Sequence, residues 1–193
     1  MRTEIPRQIV HLSGLVFVIM AQFTERETTI FYFALITLSL FLYSWYTRSQ
    51  ERKLANFLEK FESKFRDLLF RFERKDVRNP FTGAMFFYLG CTITFILFPL
   101  PIASAACAML AVGDSLSTLI GKKFGKHMIG RKTFEGFMAC FLGSLLAGIF
   151  FVSPVLSFTG AIASSLTELL PRINDNLTIP VASGLVMFLA SMI

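Results

Sequence analysis

Residues 101–120 read PIASAACAMLAVGDSLSTLI, twenty residues that contain one charge, Asp114. Twenty apolar residues in a helix span about 30 Å, the thickness of a bilayer's hydrocarbon core. An ionisable group inside such a stretch is costly and marks a functional site by default. Asp114 stands about 9 Å of helix from the end near Ile120. A hydrogen bond that only packs helices is the plainer alternative. A carboxylate that binds metal or accepts a proton is the stronger reading.

The rest of the chain matches this stretch. Its 193 residues are 54% hydrophobic and 17% charged, with a mean hydropathy of +0.61, values that point to lipid rather than water as the solvent. Twenty-three Phe stand against one Trp and four Tyr, and Phe has no polar group to satisfy in hydrocarbon. Cys91, Cys107 and Cys140 lie in apolar runs without the spacing of a zinc site or a disulfide framework, and read as small fillers. Seven stretches approach span length: Ile9–Phe23, Thr28–Tyr46, Phe81–Phe98, Pro101–Ile120, Phe134–Val152, Pro154–Leu170 and Leu177–Ile193. Prolines, including Pro80, Pro101, Pro154, Pro171 and Pro180, fall at or near their boundaries. The first run lacks a clear cleavage site and is expected to be retained. There is no internal repeat of the transporter kind.

The expected fold is an all-α integral membrane protein, residues 1–193 forming a single membrane domain of about seven transmembrane helices. Eighteen of the nineteen Lys and Arg fall on one side if the N-terminus is cytoplasmic, and only Arg26 lies outside. The net charge of +6 therefore marks orientation and not a nucleic-acid partner. Within residues 47–79, Leu54, Phe57, Leu58, Phe61, Phe65, Leu68, Leu69 and Phe72 recur at helical spacing among charges. That pattern predicts a cytoplasmic amphipathic helix, lying on membrane lipids, on the protein itself, or on a second subunit of a homo-oligomer.

After the Asp114 span comes Gly121-Lys122-Lys123-Phe124-Gly125-Lys126-His127-Met128-Ile129-Gly130-Arg131-Lys132-Thr133-Phe134-Glu135-Gly136, with five permanent cations and four glycines in sixteen residues. Glycine lets backbone N–H groups approach phosphate, and the cations neutralise it. Thr133 is placed to cap the next helix and aim its N-terminus at the same anion. A loop that served only topology would need neither the glycines nor the adjacent Asp114. Residues 121–133 are therefore expected to form a cytoplasmic nucleotide-binding loop. The sixth span ends on Glu168, and Arg172-Ile173-Asn174-Asp175-Asn176 follows on the same face. Acids converging with a basic glycine-rich loop fit a metal–nucleotide site. His11 lies near the cytoplasmic end of the first span, and a lone His there is usually unremarkable.

These motifs resemble the CTP-dependent polyprenol kinases, a family that includes dolichol kinase, phytol kinase and yeast-type diacylglycerol kinase. The resemblance is carried by Gly113-Asp114, the Gly121–His127 run, Arg131-Lys132-Thr133-Phe134-Glu135-Gly136, and Glu168 with Asp175-Asn176-Leu177-Thr178-Ile179-Pro180. A weaker N-terminal match covers Glu4, Arg7 and His11, where the family's Arg-Lys is Arg7-Gln8 here. The resemblance implies transfer of the γ-phosphate of CTP to a polyprenol-like or glycerolipid alcohol, with Mg²⁺ or another divalent cation.

On that reading Asp114, Glu135, Glu168 and Asp175 share metal binding and proton acceptance. Asp114 and Asp175 are the expected metal ligands, and partial burial favours Asp114 as the base. Gly113, Gly121, Lys122, Lys123, Gly125, Lys126, His127, Arg131, Lys132, Thr133, Gly136 and Asn176 are expected around the nucleotide. One rival is a CTP-dependent cytidylyltransferase acting on a phospholipid precursor, but its dense carboxylate and His-Gly-Gly signature is not found. The other is a small anion transporter, which would want its site near the membrane midplane.

Overall fold

The computed structural model describes residues 4–49, 82–170 and 174–193. Each of the seven apolar stretches is helical there. α1 spans Glu4–Met20, α2 Arg26–Ser49 and α3 Thr82–Leu97. α4 (Leu100–Met109) passes through a π-helical turn (Leu110–Asp114) into α5 (Ser115–Phe124), making one continuous rod. A hairpin of two-residue strands, β1 (Met128–Ile129) and β2 (Lys132–Thr133), leads into α6 (Phe134–Gly148). α7 (Pro154–Glu168) and α8 (Asp175–Ala190) complete the chain. Most of the predicted amphipathic segment, beyond Ser49, lies outside the described residues, as does Arg172.

Among the described residues, two segments are long and apolar enough to cross a membrane, Arg26–Trp45 with 20 residues and Leu100–Phe124 with 25. They play opposite parts. The α4–α5 rod is the buried axis of the bundle, whereas α2 packs mainly on α3 and leaves Phe31, Leu35, Leu38, Phe41, Leu42 and Trp45 exposed.

Small side chains let neighbours reach the rod closely. Ala103, Ala105, Ala106 and Cys107 are fully buried, and Gly113 packs against Cys140, Gly143 and Ser144 of α6. Where lipid is the solvent, such close packing and interhelical hydrogen bonds hold helices together, the latter contributing about 0.6 kcal/mol each. Ser144 and Ser164 share a hydrogen bond of 3.0 Å between α6 and α7, and Ser157 Oγ donates to the Leu145 carbonyl at 2.8 Å. Arg26 donates to the Phe95 and Ile96 carbonyls at 2.7 Å each, capping the end of α3. That contact gives the single basic residue predicted outside a structural task.

Two boundaries depart from expectation. α5 runs four residues beyond Ile120, so Gly121, Lys122 and Lys123 are helical and not part of a loop; Gly125 ends the helix. Lysine is a good helix former, and cations are favoured at a helix C-terminus. Pro180 lies inside α8 and not at its boundary. Its missing N–H frees the Asn176 carbonyl from the helical ladder, and Gly90 of α3 lies against that carbonyl.

Candidate active site

The π-helical turn places Asp114. It packs against α6, where Ser144 Oγ donates to the Met109 carbonyl at 3.4 Å, and Ser115 Oγ donates back to Ala111 at 2.6 Å. Such turns recur at functional sites because the extra residue re-aims the side chains that follow. Asp114 is 5% exposed, and its Oδ2 lies 3.5 Å from Nδ1 of His11, itself 2% exposed. Phe87 of α3 covers the imidazole, with ring centroids 5.2 Å apart.

Two more acids join Asp114. Glu168 ends α7, 1% exposed, and Asp175 opens α8 behind its cap Asn174, whose Oδ1 accepts from Asn176 N at 3.1 Å. One carboxylate oxygen from each of Asp114, Glu168 and Asp175 lies within 4.8 Å of the others. Ser117 Oγ donates to Glu168 Oε1 at 2.8 Å. Lys132 Nζ donates to the same oxygen at 2.5 Å and to Asp175 Oδ2 at 3.1 Å. Glu168 Oε2 is buried with no hydrogen-bond partner among the described residues. A buried carboxylate oxygen left unpaired is costly, and a divalent cation with oxygen ligands would satisfy it. The residues present therefore fit a hard divalent cation, and Glu168 joins Asp114 and Asp175 in the donor set.

Burial acts against the charge on Lys132, but the Glu168 and Asp175 carboxylates outweigh it and hold the ammonium above its ordinary range. Burial likewise raises the Asp175 carboxyl, an effect that Lys132 opposes without cancelling.

These groups line a cavity of about 560 Å³ at the end of the bundle where α5 and α7 stop and α6 and α8 start. Lys122, Arg131 and Lys132 supply its basic wall, with Gly121, Thr133 and Gly136 beside them. Thr133 caps α6 as its sequence position suggests, accepting from Gly136 N at 3.1 Å. Gly130 takes a φ of 61° at the hairpin tip, which glycine adopts without strain. His11, Gly83 and Asn176 form another part of the lining, where Asn176 Nδ2 donates to the Gly83 carbonyl at 3.0 Å.

Other expected site residues stand apart. Glu135 is not with the three acids; its Oε1 meets His127 Nδ1 at 2.7 Å, and both its oxygens accept from His127 N at 3.3 Å, closing the base of the hairpin. Lys123 lies over the Phe124 ring at 5.0 Å, and neither it nor Lys126, His127, Gly125 or Gly113 lines the cavity. Gly113 and Gly125 instead serve packing, against α6 and against Thr133. Glu4 and Arg7 lie on α1, with side chains outside the described ones. Sequence reading underrated His11 and passed over Ser117. Ser117 stands one turn beyond Asp114 on the same helix face, a spacing that could have pointed to it.

No family model matches the chain, and no solved structure matches it. It is 29% identical to an uncharacterised protein of Rickettsia prowazekii, over 93% of this chain and 90% of that one. It is 33% identical to a phytol kinase of Synechocystis, over 56% of this chain and 54% of the kinase. A CTP-dependent diacylglycerol kinase of Schizosaccharomyces pombe is 24% identical, over 60% and 63%. The chain thus spans little more than half the length of the phytol kinase it matches. The phytol kinase and the diacylglycerol kinase are by name kinases of lipid alcohols, and they match the family that the motifs resemble.

Proposed function

We propose that the protein is a multi-pass membrane kinase that transfers the γ-phosphate of CTP to the hydroxyl of a lipid alcohol at the cytoplasmic face. The observation that carries this reading is the convergence of buried Asp114 and Glu168, with Asp175, on a cavity walled by Lys122, Arg131 and Lys132. Phosphoryl transfer asks for positioning and charge neutralisation more than covalent help from the protein, and that is what these residues offer. The names of the relatives support a lipid-alcohol acceptor, and one of them names CTP.

Lys122, Arg131 and Lys132 bind the phosphates, and the N-terminus of α6, opened by Thr133 and Gly136, adds its dipole. Asp114, Glu168 and Asp175 would hold a divalent cation, which would supply neutralisation of the phosphate charge. Asp114, with His11 beside it, takes the proton of the attacking hydroxyl. The alcohol oxygen forms a bond to the γ-phosphorus while the bond to the β-phosphate oxygen breaks, and CDP departs. A seven-span arrangement puts the cavity at the membrane surface, where a soluble nucleotide and a bilayer-borne alcohol can meet.

Incubating the purified protein with CTP, Mg²⁺ and a panel of prenols, diacylglycerols and dialkylglycerols tests the proposal. A lipid phosphate monoester from at least one alcohol is expected. No monoester from any of them rejects the kinase.

A further inference from the structure

We propose that Lys132 is a built-in counter-cation that occupies the acid cluster until nucleotide phosphate draws it away, so that the site takes up metal and nucleotide together. This inference rests on the kinase reading for the nature of the nucleotide, but its geometry is independent of the reaction.

Lys132 Nζ bonds Glu168 Oε1 and Asp175 Oδ2, on two of the three carboxylates that each bring one oxygen within 4.8 Å of the others. A divalent cation needs such oxygens at about 2.0–2.6 Å. An ammonium bonded to the same two carboxylates would repel it at short range, beside the buried Asp114 and Glu168. The two cations therefore compete. The acids themselves are held in place without metal, Glu168 by Ser117 and Asp175 by its position in the first turn of α8. Glu168 Oε2, buried and unpartnered among the described residues, shows that the ammonium satisfies the cluster only in part.

Lys132 has somewhere else to go. It sits on β2 beside Arg131, its side chain is 35% exposed, and it lines the same cavity as Lys122 and Arg131. A nucleotide triphosphate bound against those cations offers the ammonium a new anionic partner. Its departure bares both carboxylates, so each ligand makes the other's binding more favourable, and the coupling is reciprocal.

Mn²⁺ binding to the purified full chain, read by electron paramagnetic resonance with and without CTP, tests this directly. The wild-type protein should bind Mn²⁺ weakly alone and about tenfold more tightly with CTP, within the usual range for coupled sites. Lys132→Gln should bind Mn²⁺ alone about tenfold more tightly than wild type and lose most of the response to CTP. Lys132→Arg keeps the charge and should leave Mn²⁺ affinity low. Lys132→Gln binding Mn²⁺ alone no more tightly than wild type would overturn the proposal. So would equal Mn²⁺ affinity of the wild type with and without CTP, a readout that needs no variant. If both Mn²⁺ results hold but no alcohol is phosphorylated, the counter-cation stands and the kinase reading falls. If phosphorylation proceeds without them, the reverse is true.

Discussion

Ser117 Oγ and Glu168 Oε1 are 2.8 Å apart, a hydrogen bond that joins two buried residues 51 positions apart in the chain. The hydroxyl fixes the Glu168 carboxylate in the direction of Asp114 and Asp175. Ser117→Ala removes the donor and leaves the carboxylate to Lys132 alone, a loss of about 1–3 kcal/mol in satisfying a charged buried group. Activity on CTP and alcohol should fall by about tenfold or more, and Ser117→Thr should restore most of it. Equal activity of the alanine variant and wild type would remove Ser117 from the site.

The two acids nearest the basic segment in sequence, Asp114 and Glu135, should differ in effect. Asp114→Asn keeps the shape but removes the charge, so turnover should fall by about a hundredfold or more with folded yield unchanged. Glu135 holds His127 at the hairpin base and does not line the cavity. Glu135→Gln should cost less than about tenfold, the scale of one weakened hydrogen bond outside the reacting groups. Initial rates for both variants under saturating CTP decide this, and comparable losses would return Glu135 to the reacting groups.

Gly113 is expected to matter through packing. A Cβ there would press on Ser144 Oγ and on Cys140 of α6, and overpacking of this kind costs about 1–3 kcal/mol. Gly113→Ala should lower the thermal unfolding midpoint in detergent. Gly113→Ala with Ser144→Ala should recover part of it, because the second change removes the clashing atom. An unchanged midpoint in the single variant would contradict the close approach of α6 to the π-helical turn.

The proposed orientation is open to chemical labelling. Lys126 is exposed, and Cys91, Cys107 and Cys140 are all buried. A Lys126→Cys variant should react with a membrane-impermeant maleimide only from the cytoplasmic side. Labelling of intact cells from outside would invert the topology and move the cavity away from cytoplasmic nucleotide.

Much of this was legible from the chain. Hydropathy located the seven apolar helices among the described residues, because apolar runs bounded by charge or proline leave few alternatives. Asp114, Glu168 and Asp175 could be expected to converge because the order of the spans brings each toward the same face of the bundle. Glu135 satisfied the same rule, yet the hairpin turns it toward His127, a short-range contact that composition does not encode. The π-helical turn was not legible either. It depends on Gly113 meeting α6 and on Ser144 reaching the Met109 carbonyl, contacts between residues far apart in the chain. His11 looked ordinary as a lone interfacial residue, and only the packing of α1 against the rod sets it beside Asp114.

CTP labelled separately at the γ- and α-phosphates, incubated with purified protein and a lipid alcohol, tests the central claim most directly. The γ-label should pass to the lipid, the α-label should remain in CDP, and Asp114→Asn should slow the transfer by about a hundredfold or more. Release of pyrophosphate with the α-label in a cytidine-containing lipid would contradict the kinase and identify a cytidylyltransferase in its place.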